Sequence, residues 1–137
     1  MKKYKLAIVG ATGLVGRTAL KILEEKNIPN LGYTLFSSKK SAGTELKFMN
    51  TRYLVHELKD FSFDEHFDFA IFSAGAETSK HFAPIAASKG CVVIDNSSAF
   101  RMDDDVPLIV PEVNFQDIIT HHNIIANPNC STIQAVV

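Results

Sequence analysis

Cys130 sits in the run Asn127-Pro128-Asn129-Cys130-Ser131-Thr132. A thiolate is a strong nucleophile toward carbonyl carbon and is the form of cysteine that reacts. The segment after it, with Ile133, Ala135, Val136 and Val137 as apolar faces, reads as a helix start. The free N–H groups of such a start stabilise a thiolate and could hold an oxyanion formed at an attacked carbonyl. A structural cysteine at a helix start is the alternative, and its placement alone leaves the two about even. Arg101 follows Asp95-Asn96-Ser97-Ser98-Ala99-Phe100. A guanidinium there suits a phosphate or carboxylate. Residue types alone favour a plainer role, a loop salt bridge to Asp103 or Asp104. His56, His66, His81, His121 and His122 show no metal-ligand spacing, and Asp103-Asp104-Asp105 reads as a solvated loop, so no metal is expected. Glu77 and His81, four apart, read as a helix-surface pair. His121-His122 precede the last strand, on the sheet edge opposite Cys130, so neither is taken as a catalytic base.

At the other end of the sequence, Gly10-Ala11-Thr12-Gly13-Leu14-Val15-Gly16 follows a strand and opens a helix. In that context a glycine-rich turn lets backbone N–H groups approach a pyrophosphate, and the helix N-terminus favours its charge. A ligand-free strand–helix turn is the less favoured alternative. NAD-binding folds place an acid at the end of the second strand, about 20 residues on, for the ribose 2′-hydroxyl. Here that place holds Ser37-Ser38-Lys39-Lys40-Ser41-Ala42-Gly43, with no acid. Hydroxyls and lysines suit a 2′-phosphate, which favours NADP over NAD. A solvated basic loop is the competing reading.

These motifs need elements to hold them. Leu6-Ala7-Ile8-Val9 is a continuous apolar run, as in a central parallel strand covered on both faces. Val15, Ala19, Ile22, Leu23 and Lys26 recur at helical spacing, and Asn27 and Pro29 end that helix. Further strands are expected at Tyr33 to Phe36, Phe69 to Phe72, Cys91 to Ile94 and Ile124 to Ala126. Thr44 to Met49 and Arg52 to Leu58 form a candidate pair turning at Asn50. A helix from Ser79 to Lys89 stops at Gly90. Alternating strands and helices predict an α/β fold: a Rossmann-like, doubly wound, mostly parallel sheet with helices on both faces. Each strand ends in a small polar residue or glycine (Gly10, Ser37, Ser73, Asp95, Asn127), and open parallel sheets bind ligands beyond the carboxyl ends of their strands.

The bulk numbers set limits. A chain of 137 residues, 46% hydrophobic and 21% charged, fits one soluble domain with a real core. A net charge of −1 gives no electrostatic case for nucleic acid or an anionic membrane. Cys91 and Cys130 form no CxxC motif, and Cys91 opens an apolar run, which predicts a buried, inert thiol. No signal-peptide core or membrane-length apolar run is present, so the cytoplasm is expected.

Six motifs in order, GATGLVG, SSKKSAG, FSAGAETS, DNSSAFRM, VPLIVPEVN and NPNCST, make the chain resemble the aspartate-semialdehyde dehydrogenases of the bacterial type. The resemblance runs from Gly10 to Thr132 and covers the N-terminal part of such an enzyme. It implies a domain over 1–137 that binds NADP and ends just after the nucleophile, with the second, catalytic and dimerisation domain absent from this chain. It implies that Thr12, Gly13, Leu14 and Val15, with Gly10, contact the diphosphate, that Ser38, Lys40 and Ser41 lie near the 2′-phosphate, and that Ser73, Ala74 and Gly75 line the cofactor cleft. Many relatives carry arginine at the position of Lys40. Asn96 and Arg101 would hold the substrate phosphate, and Cys130 would be the nucleophile with Asn129 beside it. The implied reaction is NADPH-dependent reductive dephosphorylation of 4-phospho-L-aspartate to L-aspartate 4-semialdehyde through a Cys130 thioester. That step serves lysine, diaminopimelate, threonine and methionine biosynthesis. The resemblance also implies a homo-oligomeric parent enzyme whose general base and carboxylate-gripping group lie after Val137.

Two other readings stand beside this one: an enzyme like N-acetyl-gamma-glutamyl-phosphate reductase, acting on another acyl phosphate, and a non-catalytic nucleotide-binding module. The first would share the glycine turn and the cysteine but is not expected to carry SSKKSAG and DNSSAFRM together. The second would leave Cys130 no more reactive than Cys91. Read as the first part of an enzyme, the chain is expected to lack turnover alone and to self-associate through apolar surface bared where the last helix is cut short.

Overall fold

The computed structural model describes residues 2–137. A seven-stranded sheet in the order β3-β4-β2-β1-β5-β6-β7 forms its centre. The strands are β1 (Tyr4–Val9), β2 (Leu31–Ser37), β3 (Glu45–Phe48), β4 (Thr51–Glu57), β5 (Phe69–Phe72), β6 (Val92–Asp95) and β7 (Ile124–Ala126). The helices are α1 (Leu14–Lys26), α2 (Ala76–Ser88), α3 (Pro111–Asn114) and α4 (Cys130–Val136). All pairings are parallel except β3 with β4. The sheet is therefore the mostly parallel, doubly wound one that the sequence predicts. The antiparallel hairpin turns through Met49 and Asn50, both at positive φ (54° and 59°), the backbone a two-residue hairpin demands.

The apolar run of β1 divides its side chains between two cores. Ala7 and Val9 face Phe36, Ala70, Phe72 and Val93 beneath Ala83 and Ala86 of α2. Leu6 and Ile8 face Leu35 and Val55 beneath Leu20 and Leu23 of α1. Cover on both faces is why β1 reads as a continuous apolar run instead of an alternating one. Cys91 lies in the α2-side core, 1% exposed, and burial there, helped by the charge of Asp68, pushes its thiol up to about 12. This is the inert thiol expected of its apolar run.

Helix α1 is where the spacing predicts it and is capped by Asn27, while its burial adds what spacing does not show. Its buried stripe is Gly16, Leu20 and Leu23. Val15 and Ile22, which share the apparent apolar spacing, are 49% and 46% exposed. Helix α2 begins three residues earlier than its apolar pattern implies, at Ala76 behind Gly75, whose φ of 89° turns the chain off β5. Pro84 lies within α2 and removes the N–H that would have bonded the Lys80 carbonyl. Residues 111–120, for which no element is expected, form α3 and a 3₁₀ segment, Phe115–Thr120. Both are too short to show a helical period. Among the described residues, no helix is long and apolar enough to cross a membrane.

Candidate functional site

The sheet reverses direction of growth at β1. From there the chain builds outward through β2 and β4, then returns to the other side of β1 to place β5, β6 and β7. The crevice of a doubly wound sheet opens at this switch point, beyond the carboxyl ends of the strands. Here the two exits flanking it are Gly10 after β1 and Ser73 after β5.

The three glycines of the turn have different steric reasons. Gly10 has φ 87°, and a Cβ there would stand 2.7 Å from the Ser73 carbonyl oxygen. A Cβ on Gly16 would stand 2.0 Å from the Gly10 carbonyl oxygen, inside the closest approach of any two such atoms. Both are required by the tight packing of α1 and β5 against the end of β1. Gly13 caps α1 in an ordinary extended conformation, and its Cβ would meet nothing nearer than 3.6 Å. The packing does not require Gly13 to be glycine.

Gly13 instead borders a cleft of about 400 Å³ lined by Val9, Gly10, Thr12, Gly13, Ser37, Ser38, Leu58, Ser73, Ala74, Thr78 and Phe82. Six expected cofactor residues, Gly10, Thr12, Gly13, Ser38, Ser73 and Ala74, are therefore gathered on one concavity. The Ser73 hydroxyl donates to the Val9 carbonyl at 3.1 Å and fastens the two strand exits together. Gly75 heads α2 just behind the cleft. Leu14 and Val15 are exposed in the first turn of α1 and do not line it. Lys40 and Ser41 lie in the adjacent turn, closed by Ser41 and Ala42 N–H groups donating to the Ser38 carbonyl. Lys40 is exposed, and no carboxylate pairs with Lys39 or Lys40 among the described residues. Leu58, Thr78 and Phe82 were not anticipated. Thr78 and Phe82 are four apart on α2, and Thr78 falls just outside the helix expected from Ser79, so the pair does not show as one face.

The second cluster lies at the exits of β6 and β7. Arg101 makes none of the salt bridges that its own sequence context favours. Its Nε–H donates to the Asn127 carbonyl at 2.8 Å and its Nη2 to the Asn96 carbonyl at 3.2 Å. Two of its five donors thus hold loop backbone. The Asn127 N–H in turn donates to the Asp95 carbonyl at 2.9 Å, joining the two exits. The Asn129 side chain caps α4, its Oδ1 accepting from Ser131 N–H at 2.8 Å. Cys130 is the first residue of α4 and is exposed, in contrast to Cys91. Asn96, Arg101, Asn129 and Cys130 are therefore held within neighbouring exit loops of one sheet edge, the edge that also carries the cleft.

Two histidines have partners other than those their spacing suggests. His81 Nε2 lies 2.6 Å from Asp60 Oδ1, so its partner is across the chain and not Glu77. His121 Nδ1 accepts from the Asn123 N–H at 3.0 Å, at the start of β7.

Known proteins resemble the chain throughout. The family model described as semialdehyde dehydrogenase, NAD binding domain, matches residues 5–121. Aspartate-semialdehyde dehydrogenase of Aquifex aeolicus is 55% identical over 136 residues, covering 98% of this chain and 40% of the relative. The Bacillus subtilis enzyme of that name is 53% identical over 131 residues, covering 96% of this chain and 38% of its own length. Among solved structures, aspartate semialdehyde dehydrogenase II of Vibrio cholerae, complexed with ASA, superposes with a TM-score of 0.92 at 46% identity, over 98% of this chain and 44% of that one. The Candida albicans enzyme with NADP gives a TM-score of 0.82 at 25% identity, over 95% and 44% of the two chains. The chain spans about 40% of the length of the curated relatives it matches.

Proposed function

Because the chain belongs to the semialdehyde dehydrogenase NAD-binding domain family, we propose that residues 1–137 are the NADP-binding portion of an aspartate-semialdehyde dehydrogenase. The observation that carries this reading is the gathering of the glycine turn, the Ser38 loop, the Arg101 loop and Cys130 at the exits of one parallel sheet.

The geometry of the cleft supports a dinucleotide. Gly13 lacks a Cβ where the packing would tolerate one, so its bareness leaves room for a ligand against the backbone. The α1 N-terminus behind it favours a diphosphate, with Gly10, Thr12 and Gly13 lining the cleft and only the backbone of Leu14 and Val15, in the first turn of α1, proposed to face it. Ser38, Lys40 and Ser41 would take the 2′-phosphate, and Ser73, Ala74 and Gly75 would close the opposite wall. When bound there, NADPH supplies the hydride.

In the proposed reaction the Cys130 thiolate attacks the acyl-phosphate carbon of 4-phospho-L-aspartate, and the carbon–oxygen bond to phosphate breaks. Arg101 and Asn96 hold the phosphate that leaves. The thioester on Cys130 is then reduced, and the resulting hemithioacetal releases L-aspartate 4-semialdehyde and the thiolate. Covalent attack divides one difficult step into two easier ones. The general base and the group gripping the substrate α-carboxylate are proposed to lie outside 1–137. The chain alone is proposed to bind cofactor without turnover, and the whole enzyme to be a cytoplasmic homo-oligomer.

Fluorescence titration with NADPH and NADH in parallel tests the cofactor half of the reading. Preferential NADPH binding is expected. Equal binding would refute the role given to Ser38, Lys40 and Ser41.

A further inference from the structure

Asp95 ends β6 and is fully buried, yet no ion pair among the described residues includes it. A buried carboxylate is expensive unless hydrogen bonds satisfy it. Here three donors do. Oδ1 accepts from the Ser79 hydroxyl of α2 at 2.6 Å and from the Ser97 N–H at 3.1 Å. Oδ2 accepts from the Ser97 hydroxyl at 2.8 Å. The Ser97 oxygen then accepts from the Ala99 N–H at 3.1 Å, extending the hold along the loop.

Between these anchors the backbone of Asp95 and Asn96 forms part of a closed circuit. The Asp95 carbonyl takes the Asn127 N–H, the Asn127 carbonyl takes Arg101 Nε–H, and Arg101 Nη2 returns to the Asn96 carbonyl. The Asn96 N–H is fixed to the Phe72 carbonyl at 2.8 Å. The Asp95 side chain is thus bonded to Ser97, and through it to Ala99, in the loop that leads from β6 to Arg101.

We propose that Asp95 is the positioning residue of the Arg101 guanidinium, locking the β6 exit loop to α2 so that Arg101 spans to the β7 exit that leads to Cys130. This rests on, and deepens, the reading in which Arg101 holds the substrate phosphate. A carboxylate is the side chain suited to the task, because it is acceptor-only and can orient one N–H and two hydroxyls together. An asparagine places a donor at one end. The Ser97 oxygen would then accept from that amide and from Ala99, leaving its own O–H unpartnered in a buried place.

The test uses the ¹⁵N-labelled chain and the Nε–H resonance of Arg101, assigned with Arg101→Lys. Arg17 is an internal control, since its Nε–H donates to the Thr12 carbonyl at 3.0 Å, in the cofactor turn. Asp95→Ala and Ser97→Ala should each speed hydrogen exchange at Arg101 by about tenfold while Arg17 stays as in the parent chain, and Asp95→Asn should fall between. Affinity for inorganic phosphate, read on the same resonance, should fall about tenfold in Asp95→Ala. Unchanged exchange at Arg101 in these variants, or equal acceleration at Arg17 and Arg101, would overturn the proposal. If exchange responds as expected but phosphate leaves the parent Arg101 resonance unmoved, the positioning stands and the phosphate reading falls. Should Asp95→Ala not fold, Ser97→Ala and Asp95→Asn decide the matter alone.

Discussion

Gly13→Ala and Gly16→Ala separate architecture from ligand binding within one motif. At Gly16 the new Cβ would lie 2.0 Å from the Gly10 carbonyl oxygen and 2.9 Å from the Ala11 Cα, both backbone atoms. No rotamer change relieves such a contact, so α1 must shift by more than 1 Å from the end of β1, judged against an ordinary contact of about 3.4 Å. Overpacking of this kind costs about 3 kcal/mol. That lowers Tm by about 10 °C for a chain of this length. At Gly13 the Cβ meets nothing within 3.6 Å, and φ −75°, ψ 171° suits alanine. The expected cost is that of a poorer N-cap, about 0.5–1 kcal/mol, or a Tm fall of about 3 °C. The same Cβ would stand in the cleft where the diphosphate is proposed to lie, so NADPH affinity should fall by about tenfold or more. Circular dichroism melts and NADPH fluorescence titrations on the two variants provide the assay. Equal destabilisation by both substitutions would refute the steric division of the glycines. Unimpaired NADPH binding by Gly13→Ala would refute the placement of the diphosphate.

The two thiols should differ in reactivity: at pH 8 an alkylating agent should modify exposed Cys130 at least about a hundredfold faster than Cys91, as peptide mass spectrometry would show, and similar rates would favour the non-catalytic module. Burial pushes Cys91 up to about 12 from 9.0, so the folded chain keeps that proton while the unfolded chain loses it. Stability should accordingly fall as pH rises from about 9 toward 12, and Cys91→Ala should flatten that alkaline limb in urea melts. Asp68 is held below the ordinary carboxyl value of 3.8 first by the Lys5 N–H and then by His66. Its stabilisation is present above that value and is lost as pH falls through the lowered one, so the stability gap between the parent and Asp68→Asn should close in acid. Lys40→Ala should weaken NADPH several-fold and leave NADH unaffected, since the lost charge is proposed to face the 2′-phosphate alone. Parallel loss of both cofactors would remove Lys40 from that role.

What could be read in the sequence was what residue type and spacing themselves encode. The apolar runs gave the strands because a strand buried on both faces has no reason to alternate, as β1 shows with its two cores. The small polar residues at the strand ends located the edge, and Gly10 and Gly16 marked a turn no larger residue fits. The omissions have equally physical origins. The stripe of α1 passes through Gly16, which a count of apolar residues cannot see, so helical spacing alone does not tell that Val15 and Ile22 stand exposed. The start of α2 lies behind Gly75, where positive φ replaces the usual polar cap, and Thr78 was lost from the cleft with it.

Arg101 shows the deeper limit. Its context in the sequence offers three aspartates two to four residues away, and a charge argument pairs it with one of them. In the structure it bonds to two backbone carbonyls, one of them 26 residues distant. A carbonyl is present at every residue, so composition cannot point to it. Only the topology, by laying β6 beside β7, brings Asn127 within reach. Exposed aspartates gain little from such a pairing, since surface ion pairs are worth about 0–1 kcal/mol. Two carbonyls fixed by the strand ends already stand in place, so the guanidinium meets them without ordering a second flexible side chain. The same logic accounts for Asp95. A carboxylate at a strand end looks like any surface acid until the fold places Ser79 and Ser97 on either side of it. The chemistry-bearing residue types are thus legible in order along the chain, while the hydrogen bonds that aim them arise only from strand neighbours that the sequence does not adjoin.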